Sequence, residues 1–144
     1  MKYYSKLLSK IRKSKANIGI IGLGRIGGRF AQMLAPWRVR IIAYDPYQPI
    51  DRFIHANVQR VDLETLLMES DVVSLHVVLN TETYHMMSDR EFGLMKPSAV
   101  FLNTSGCTMP HPNISSQPVF LQIPIACFFQ YALTDRLKYQ SCRF

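Results

Sequence analysis

The run Asn17-Ile18-Gly19-Ile20-Ile21-Gly22-Leu23-Gly24-Arg25-Ile26-Gly27 constrains this chain more than any other stretch, because it joins an apolar strand to a glycine-spaced turn and a helix start. In a turn of this spacing Gly22 permits the tight exit from the strand, Gly24 removes a side chain where a diphosphate must approach, and Gly27 lets the helix lie close to the sheet. The first N–H groups of that helix, with their partial positive charge, face the anion. The bare spacing is a weak signal, and its surroundings strengthen it. Arg25 to Ala35 place Ile26, Phe30, Met33 and Leu34 at helical spacing before Pro36 stops the pattern. A second strand, Val39 to Tyr44, ends at Asp45, 18 residues beyond Gly27. That is near the distance at which a βαβ unit delivers a carboxylate to an adenosine ribose.

Charge divides the chain into three parts. Residues 1–16 hold six Lys/Arg and no acid, residues 17–106 hold eight against nine, and residues 107–144 hold three against one. The net charge of +7 therefore belongs to the leader, and the motif-bearing middle is close to neutral, which argues against a nucleic-acid partner. As a helix, the leader would set Tyr4, Leu7, Leu8 and Ile11 on one face, with Lys2, Lys6, Ser9 and Lys13 largely opposite. It reads as a solvated basic helix leading into the domain, with a targeting or membrane-surface segment as the alternative. A cytoplasmic protein is the expectation, with organelle targeting by the leader left open. Pro118 to Leu133 is the most apolar stretch, but Gln122, Pro124 and Gln130 interrupt it, so no membrane span is expected. Cys107, Cys127 and Cys142 show no metal-ligand spacing and read as free thiols; no metal site is expected.

With 144 residues and 48% apolar content, the chain suits one domain with a real core. Ile50 to Ala56 reads as a short helix and Val58 to Val61 as a brief third strand. Asp62 reads as the N-cap of a helix over Leu63 to Glu69. The run Val72 to Leu79 is too continuously apolar for a half-exposed strand and reads as a buried parallel one. Ser88-Asp89-Arg90-Glu91 is a capping box for a helix through Met95, and Ala99 to Asn103 is the next strand. Strand and helix thus alternate through about five strands, which predicts an α/β, Rossmann-like doubly wound parallel sheet. After Gly106 four prolines and a single acid break the pattern, and 107–144 reads as an irregular C-terminal tail.

Residues 17–106 resemble the cofactor domain of the NAD-dependent D-2-hydroxyacid dehydrogenases. The resemblance rests on Gly22-Leu23-Gly24-Arg25-Ile26-Gly27, Ala43-Tyr44-Asp45-Pro46-Tyr47, Asp62-Leu63-Glu64-Thr65-Leu66-Leu67, Ser70-Asp71-Val72-Val73-Ser74-Leu75-His76, Leu94-Met95-Lys96-Pro97 and Leu102-Asn103-Thr104-Ser105. It implies that Arg25 and Ile26 meet the diphosphate of NAD and that Asp45 binds the adenosine ribose hydroxyls. A carboxylate there also repels a 2′-phosphate, favouring NAD over NADP. His76, Val77 and Val78 match the strand-end segment that lines the cofactor, Thr83 a further contact, and Thr104 and Ser105 the loop beside the nicotinamide. Val78 stands where the family usually has proline, and Asn80 where it has threonine. For His76 the competing reading is a core histidine with a satisfied ring. Arg29, Arg38 and Arg40 read as solvated charge. The resemblance also suggests a homodimer formed through this domain.

The catalytic set of that family is an arginine that fixes the substrate carboxylate, a histidine that takes the hydroxyl proton and an acid that orients the histidine. None can be placed, so no catalytic residue is assigned. The arginine belongs directly after Asn103-Thr104-Ser105, where this chain has Gly106, and the acid and histidine belong downstream in a region without resemblance. His111, between two prolines, and Asp135 do not make a replacement pair. The strand ending at Asn103 is also left without a recognisable neighbour, an unpaired edge that Val119-Phe120-Leu121 or Phe128-Phe129 could cover.

Three readings stand at this point: a truncated cofactor domain that binds NAD without catalysis, a frameshifted or truncated product without function, and a non-enzymatic binding module with a basic leader. Reading the other two frames of the coding nucleic acid past codon 105 separates the second from the first. An arginine-glycine continuation with an acid and a histidine downstream supports a shifted frame, and silence in both frames counts against it.

Overall fold

The computed structural model describes residues 16–103, 105 and 119–122. Residues 1–15, 104, 106–118 and 123–144 lie outside the described residues, and with them the helical reading of the leader and the readings of Phe128-Phe129, the three cysteines, His111 and Asp135. In chain order the elements are β1 (Asn17–Ile21), α1 (Arg25–Leu34), a 3₁₀ turn (Ala35–Trp37), β2 (Arg40–Tyr44), α2 (Ile50–Ala56), β3 (Gln59–Arg60), α3 (Leu63–Glu69), β4 (Val72–Leu75), α4 (Asp89–Leu94), β5 (Val100–Asn103) and β6 (Val119–Gln122).

Every strand pairing is parallel, in the order β3-β2-β1-β4-β5-β6. The chain winds outward from β1 to β3, crosses back over β1 and winds outward again from β4, so the expected doubly wound sheet is present. The switch of direction lies between β1 and β4, whose C-terminal ends define the crevice where sheets of this kind bind ligands. The edge beyond Asn103 is covered by the first of the two tail segments considered for it. Backbone of the tail, Val119–Gln122, runs parallel to β5 in the register Val100↔Val119 to Asn103↔Gln122. An unpaired row of ladder groups is costly, and this strand takes up that row.

Alternation along each strand divides the core into two layers. Ile18, Ile20, Ile41, Ala43, Val72, Val100 and Leu102 face α1 and α2, where they meet Ala31, Leu34, Phe53 and Ala56. Ile21, Ile42, Val73, Leu75 and Phe101 face α3 and α4, where they meet Leu66, Leu67, Phe92 and Met95. Phe92 and Phe101 pack edge to face at 5.3 Å between centroids. Both expected caps form. Asp62 Oδ1 accepts the Thr65 N–H at 2.8 Å, a bond that also holds the exposed carboxyl below its ordinary pKa, and Ser88 with Glu91 closes a capping box on α4.

Two local expectations are corrected. The buried face of α1 is Gly27, Gly28, Ala31 and Leu34, whereas Ile26 and Met33 are 44% and 45% exposed. Close approach to the sheet selects the small residues, and the larger ones turn outward. The strand over Val72 to Leu79 stops at Leu75; Val78 is 80% exposed. Beyond the sheet, the apolar run becomes a loop over the switch point.

The N-terminal edge of the sheet is tied by polar contacts. Asp71 accepts the Asn17 N–H at 2.9 Å through Oδ2 and the Lys96 ammonium at 3.1 Å through Oδ1, and Lys96 also donates to the Glu69 carbonyl at 2.7 Å. The Lys96-Pro97 pair is thus a structural tie at the end opposite the crevice. Arg40, expected to be solvated charge, pairs with Glu69 at 2.6 Å and with Gln59 at 3.0 Å, an exposed contact of little energetic weight. Among the described residues, no helix is long and apolar enough to cross a membrane.

Glycine positions make the packing testable. A Cβ on Gly19, in mid-strand, would lie 2.3 Å from Ser70 Oγ and 2.6 Å from Leu66 Cδ2, whereas one on Gly93, within α4, meets nothing within 4 Å. Gly19→Ala is expected to destabilise the protein by about 1–3 kcal/mol through overpacking. Gly93→Ala is expected to stabilise it by about 0.5–1 kcal/mol through helix propensity. Urea denaturation of the two variants beside wild type checks both signs.

Candidate functional site

The turn leaving β1 is held from two sides. Gly22 takes a φ of +91°, in the left-handed region, and its N–H donates to the Tyr44 carbonyl at 2.9 Å, stitching the turn to the end of β2. A Cβ there would also come within 3.0 Å of the His76 backbone and of Val77 Cγ1. Gly27 sits so close beneath that its Cβ would lie 2.0 Å from the Gly22 carbonyl oxygen. Gly24 is different: a Cβ there meets nothing within 4 Å, so the space above the turn is open. It is also the N-cap of α1, whose N-terminus carries no side-chain cap and no acidic residue in its first turn. That leaves an anion-facing helix end with an uncrowded approach.

Asp45, at the end of β2, belongs to the same structure. Its Oδ2 accepts the Leu23 N–H at 2.8 Å, and its Oδ1 accepts those of Tyr47 at 3.0 Å and Gln48 at 3.2 Å. A carboxylate offers about four acceptor positions, so one remains on Oδ2 for a hydroxyl donor. An open cleft of about 570 Å³ adjoins it, lined by Tyr44, Asp45, Pro46, Arg60, Val61, Asp62 and Thr65. Arg60, Asp62 and Thr65 were not among the expected site residues; the short β3 brings their segment beside β2.

On the other side of the switch point, His76 continues the ladder through its N–H to the Ile21 carbonyl at 2.8 Å. Its ring is half-buried, with Nε2 2.9 Å from Ser74 Oγ and its centroid 5.1 Å from that of Phe30. The ring contacts fit the reading of a core histidine, and the backbone of His76 lies at the C-terminal end of β4. Val77 is half-buried beside Gly22, and Val78 and Leu79 are exposed. Thr83 folds back, donating from Oγ1 to the Val78 carbonyl at 2.6 Å and accepting the Asn80 N–H at 2.8 Å. Asn80 organises this turn by accepting the N–H groups of Glu82 and Thr83, each at 2.9 Å. The hydroxyl of Tyr47 reaches Glu82, linking the loops after β2 and β4. Ser105 closes on Asn103 through bonds from its N–H and its hydroxyl, each 3.0 Å. Thr104 lies outside the described residues.

The structure thus brings Gly22, Gly24, Arg25, Ile26, Gly27, Asp45, His76 and Val77 to the C-terminal ends of β1, β2 and β4, with Arg25 and Ile26 in the exposed first turn of α1. A residue that the sequence reading overlooked joins them. Arg52, on α2, donates from Nε to the Leu23 carbonyl at 3.2 Å and from Nη2 to the Gly24 carbonyl at 2.9 Å. Nothing in its sequence neighbourhood signals this, because the contact depends on how α2 crosses α1. Among the described residues, no group of three or more His, Cys, Asp or Glu side chains could hold a metal ion.

Burial lowers the pKa of His76 from 6.5 to about 4, so the ring is neutral at pH 7. Between these two values the unfolded chain binds a proton that the folded protein does not, and stability falls as pH drops through that window. The expected loss from this ring is at most about 1.4 kcal/mol per pH unit. His76→Asn should remove that part of the slope, and urea midpoints from pH 7 to pH 4 for both proteins check it; identical slopes refute the assignment.

Comparison with known proteins gives this geometry a family. Residues 3–109 match the model of the D-isomer specific 2-hydroxyacid dehydrogenase, NAD binding domain. A glyoxylate reductase of Thermococcus litoralis is 44% identical over 88 residues, covering 61% of this chain and 27% of that protein. The D-lactate dehydrogenase of Escherichia coli is 41% identical over 87 residues, covering 60% and 26%. Among solved structures, Salmonella D-lactate dehydrogenase superposes with a TM-score of 0.64 at 35% identity, covering 70% of this chain and 30% of that one. A D-lactate dehydrogenase from Aquifex aeolicus, complexed with NAD and lactic acid, gives 0.60 at 33% identity, covering 67% and 28%. The chain therefore spans between a quarter and a third of the length of these relatives. It belongs to the D-isomer specific 2-hydroxyacid dehydrogenase family, and its elements from β1 to β5 fall within the match to the NAD-binding domain of that family.

Proposed function

We propose that this chain holds NAD across the turn from Gly22 to Gly27 and does not by itself turn over a hydroxy acid. The observation that carries the proposal is the coincidence at one crevice of an open Gly24, an uncapped helix end and the Asp45 carboxylate bonded to the same turn. In this reading the backbone N–H groups at Gly24, Arg25 and Ile26 meet the diphosphate, with Gly22 and Gly27 shaping the turn. Asp45 accepts an adenosine ribose hydroxyl through its remaining position and disfavours a 2′-phosphate by charge repulsion. His76, Val77 and Val78 line the strand-end side, Thr83 holds the loop that carries Val78, and Thr104 and Ser105 stand beside the nicotinamide. When bound, the nicotinamide ring supplies the redox chemistry of the family. The chain's own part is to bind and orient it and to exclude water.

Side-chain chemistry supports the reading of no turnover. A planar two-point clamp on a substrate carboxylate needs guanidinium donors, and Gly106 offers none. No histidine among the described residues stands ready as a general base in the crevice. His76 has its ring turned into the protein, and His55 and His85 are exposed on α2 and in the loop after β4. Homodimer contacts through this domain belong to the same proposal, on the family resemblance alone.

Trp37, exposed in the 3₁₀ turn after α1, provides energy transfer to bound NADH. Wild type is expected to show a saturable signal without oxidising a 2-hydroxy acid, and no saturable signal at millimolar NADH from a folded sample overturns the proposal. Gly24→Val should fold normally, because its Cβ projects into open space, and should weaken NADH binding by more than about tenfold. Asp45→Ala is expected to lower affinity and to loosen the turn together, since one carboxylate serves both roles.

A further inference from the structure

We propose that Arg52 is a positioning residue for the dinucleotide, fixing the Leu23–Gly24 turn in its binding-competent orientation through space left by Gly28. The inference rests on the reading of that turn as the NAD site and adds a residue outside the glycine motif.

Geometry carries it. The Arg52 guanidinium donates to two successive carbonyls, Leu23 at 3.2 Å and Gly24 at 2.9 Å. No peptide bond in the described chain is cis. In a trans peptide the N–H points opposite to the C=O. Holding the Leu23 carbonyl toward α2, together with the Gly24 carbonyl that also accepts the Gly28 N–H at 3.0 Å, turns the N–H groups of Gly24 and Arg25 away from α2. These are the groups that a diphosphate over Gly24 would require. Asp45 holds the same segment from the other side through the Leu23 N–H at 2.8 Å. The turn is thus clamped between a cation on its carbonyls and an anion on its amide, and neither clamp occupies the open face of Gly24.

Gly28 is the second half of the device. A Cβ on it would lie 2.9 Å from Arg52 Nη2 and 3.4 Å from Cζ, so the missing side chain on α1 is what admits the guanidinium. Arginine suits the position because its planar fork reaches two carbonyls at once, whereas an ammonium is a single point of charge. Arg52 also brings a permanent positive charge to the carbonyl side of an anion-binding turn, which favours a diphosphate on the opposite side. Phe53 and Ala56 anchor α2 in the core through contacts that do not involve the guanidinium.

The test is a set of NADH titrations on the full chain with wild type, Arg52→Met, Arg52→Lys, Gly28→Ala and the double variant Gly28→Ala/Arg52→Met. Urea midpoints confirm which of them fold. Arg52→Met is expected to weaken binding by about tenfold, with Arg52→Lys between it and wild type. Gly28→Ala displaces the guanidinium without removing it and should weaken binding similarly. In the double variant the two losses should not add, because the second change finds no contact left to break. Wild-type affinity in Arg52→Met, or additive losses in the double variant, overturns the proposal. If Arg52→Met does not fold, Gly28→Ala against wild type decides, and unchanged affinity there overturns it. A wild type that binds no NADH would be a failure of the NAD reading itself, and the first titration reveals it separately.

Discussion

Helix α1 can lie where it does only because residue 27 has no side chain. A Cβ at Gly27 would sit 2.0 Å from the Gly22 carbonyl oxygen, a backbone atom with no freedom to move aside. From that contact much of the rest follows. It brings the start of α1 directly under the turn from β1, so the uncapped N–H groups face the crevice. It also makes the buried face of the helix one of small residues, Gly27, Gly28 and Ala31, and turns Ile26 and Met33 toward solvent. The same closeness allows α2, packed beside α1, to put Arg52 within reach of the turn.

The sheet has two ends with different work. At the N-terminal end, Asp71, Lys96, Asn17 and Glu69 tie β1, α3 and the segment before β5 together, and these contacts are structural. At the C-terminal end, Asp45 and Arg52 fix a single turn while leaving the space over Gly24 open. Polar groups at the first end satisfy one another. At the second, they organise backbone whose remaining donors stay available, which is the arrangement expected of a site built before its ligand arrives.

How much of this is legible in the sequence depends on the range of the interaction that decides each feature. The strands and the caps at Asp62 and Ser88 follow from local periodicity and from side chains three residues apart, and they appear where the pattern places them. The α1 face does so only in part: Phe30 and Leu34 pack on the core, but Ile26 and Met33 turn outward, because the close contact of Gly27 with the turn after β1 favours small residues there. The end of β4 at Leu75 escapes too, since Val77, Val78 and Leu79 are as apolar as a strand but continue as a loop over the switch point. The strand Val119–Gln122 lies in a proline-broken stretch, and only the vacant edge of β5 reveals its partner. Arg52 is the clearest case. One arginine in a short helix carries no signal until the crossing of α1 and α2 places it over Gly28.

A cofactor domain of this kind separates binding from chemistry by position. The turn, the carboxylate and the strand ends proposed to hold the diphosphate and the adenosine lie between Asn17 and Asn103, in elements that fold against one another. The resemblance to the family puts the groups that act on a hydroxy acid after Ser105, where this chain has Gly106. Among the described residues the side chains that clamp Leu23 and Gly24 are Asp45 and Arg52, both remote in sequence from Gly106. In the proposed reading the geometry of the turn bears on affinity for the dinucleotide, and competence toward a substrate rests on residues outside it.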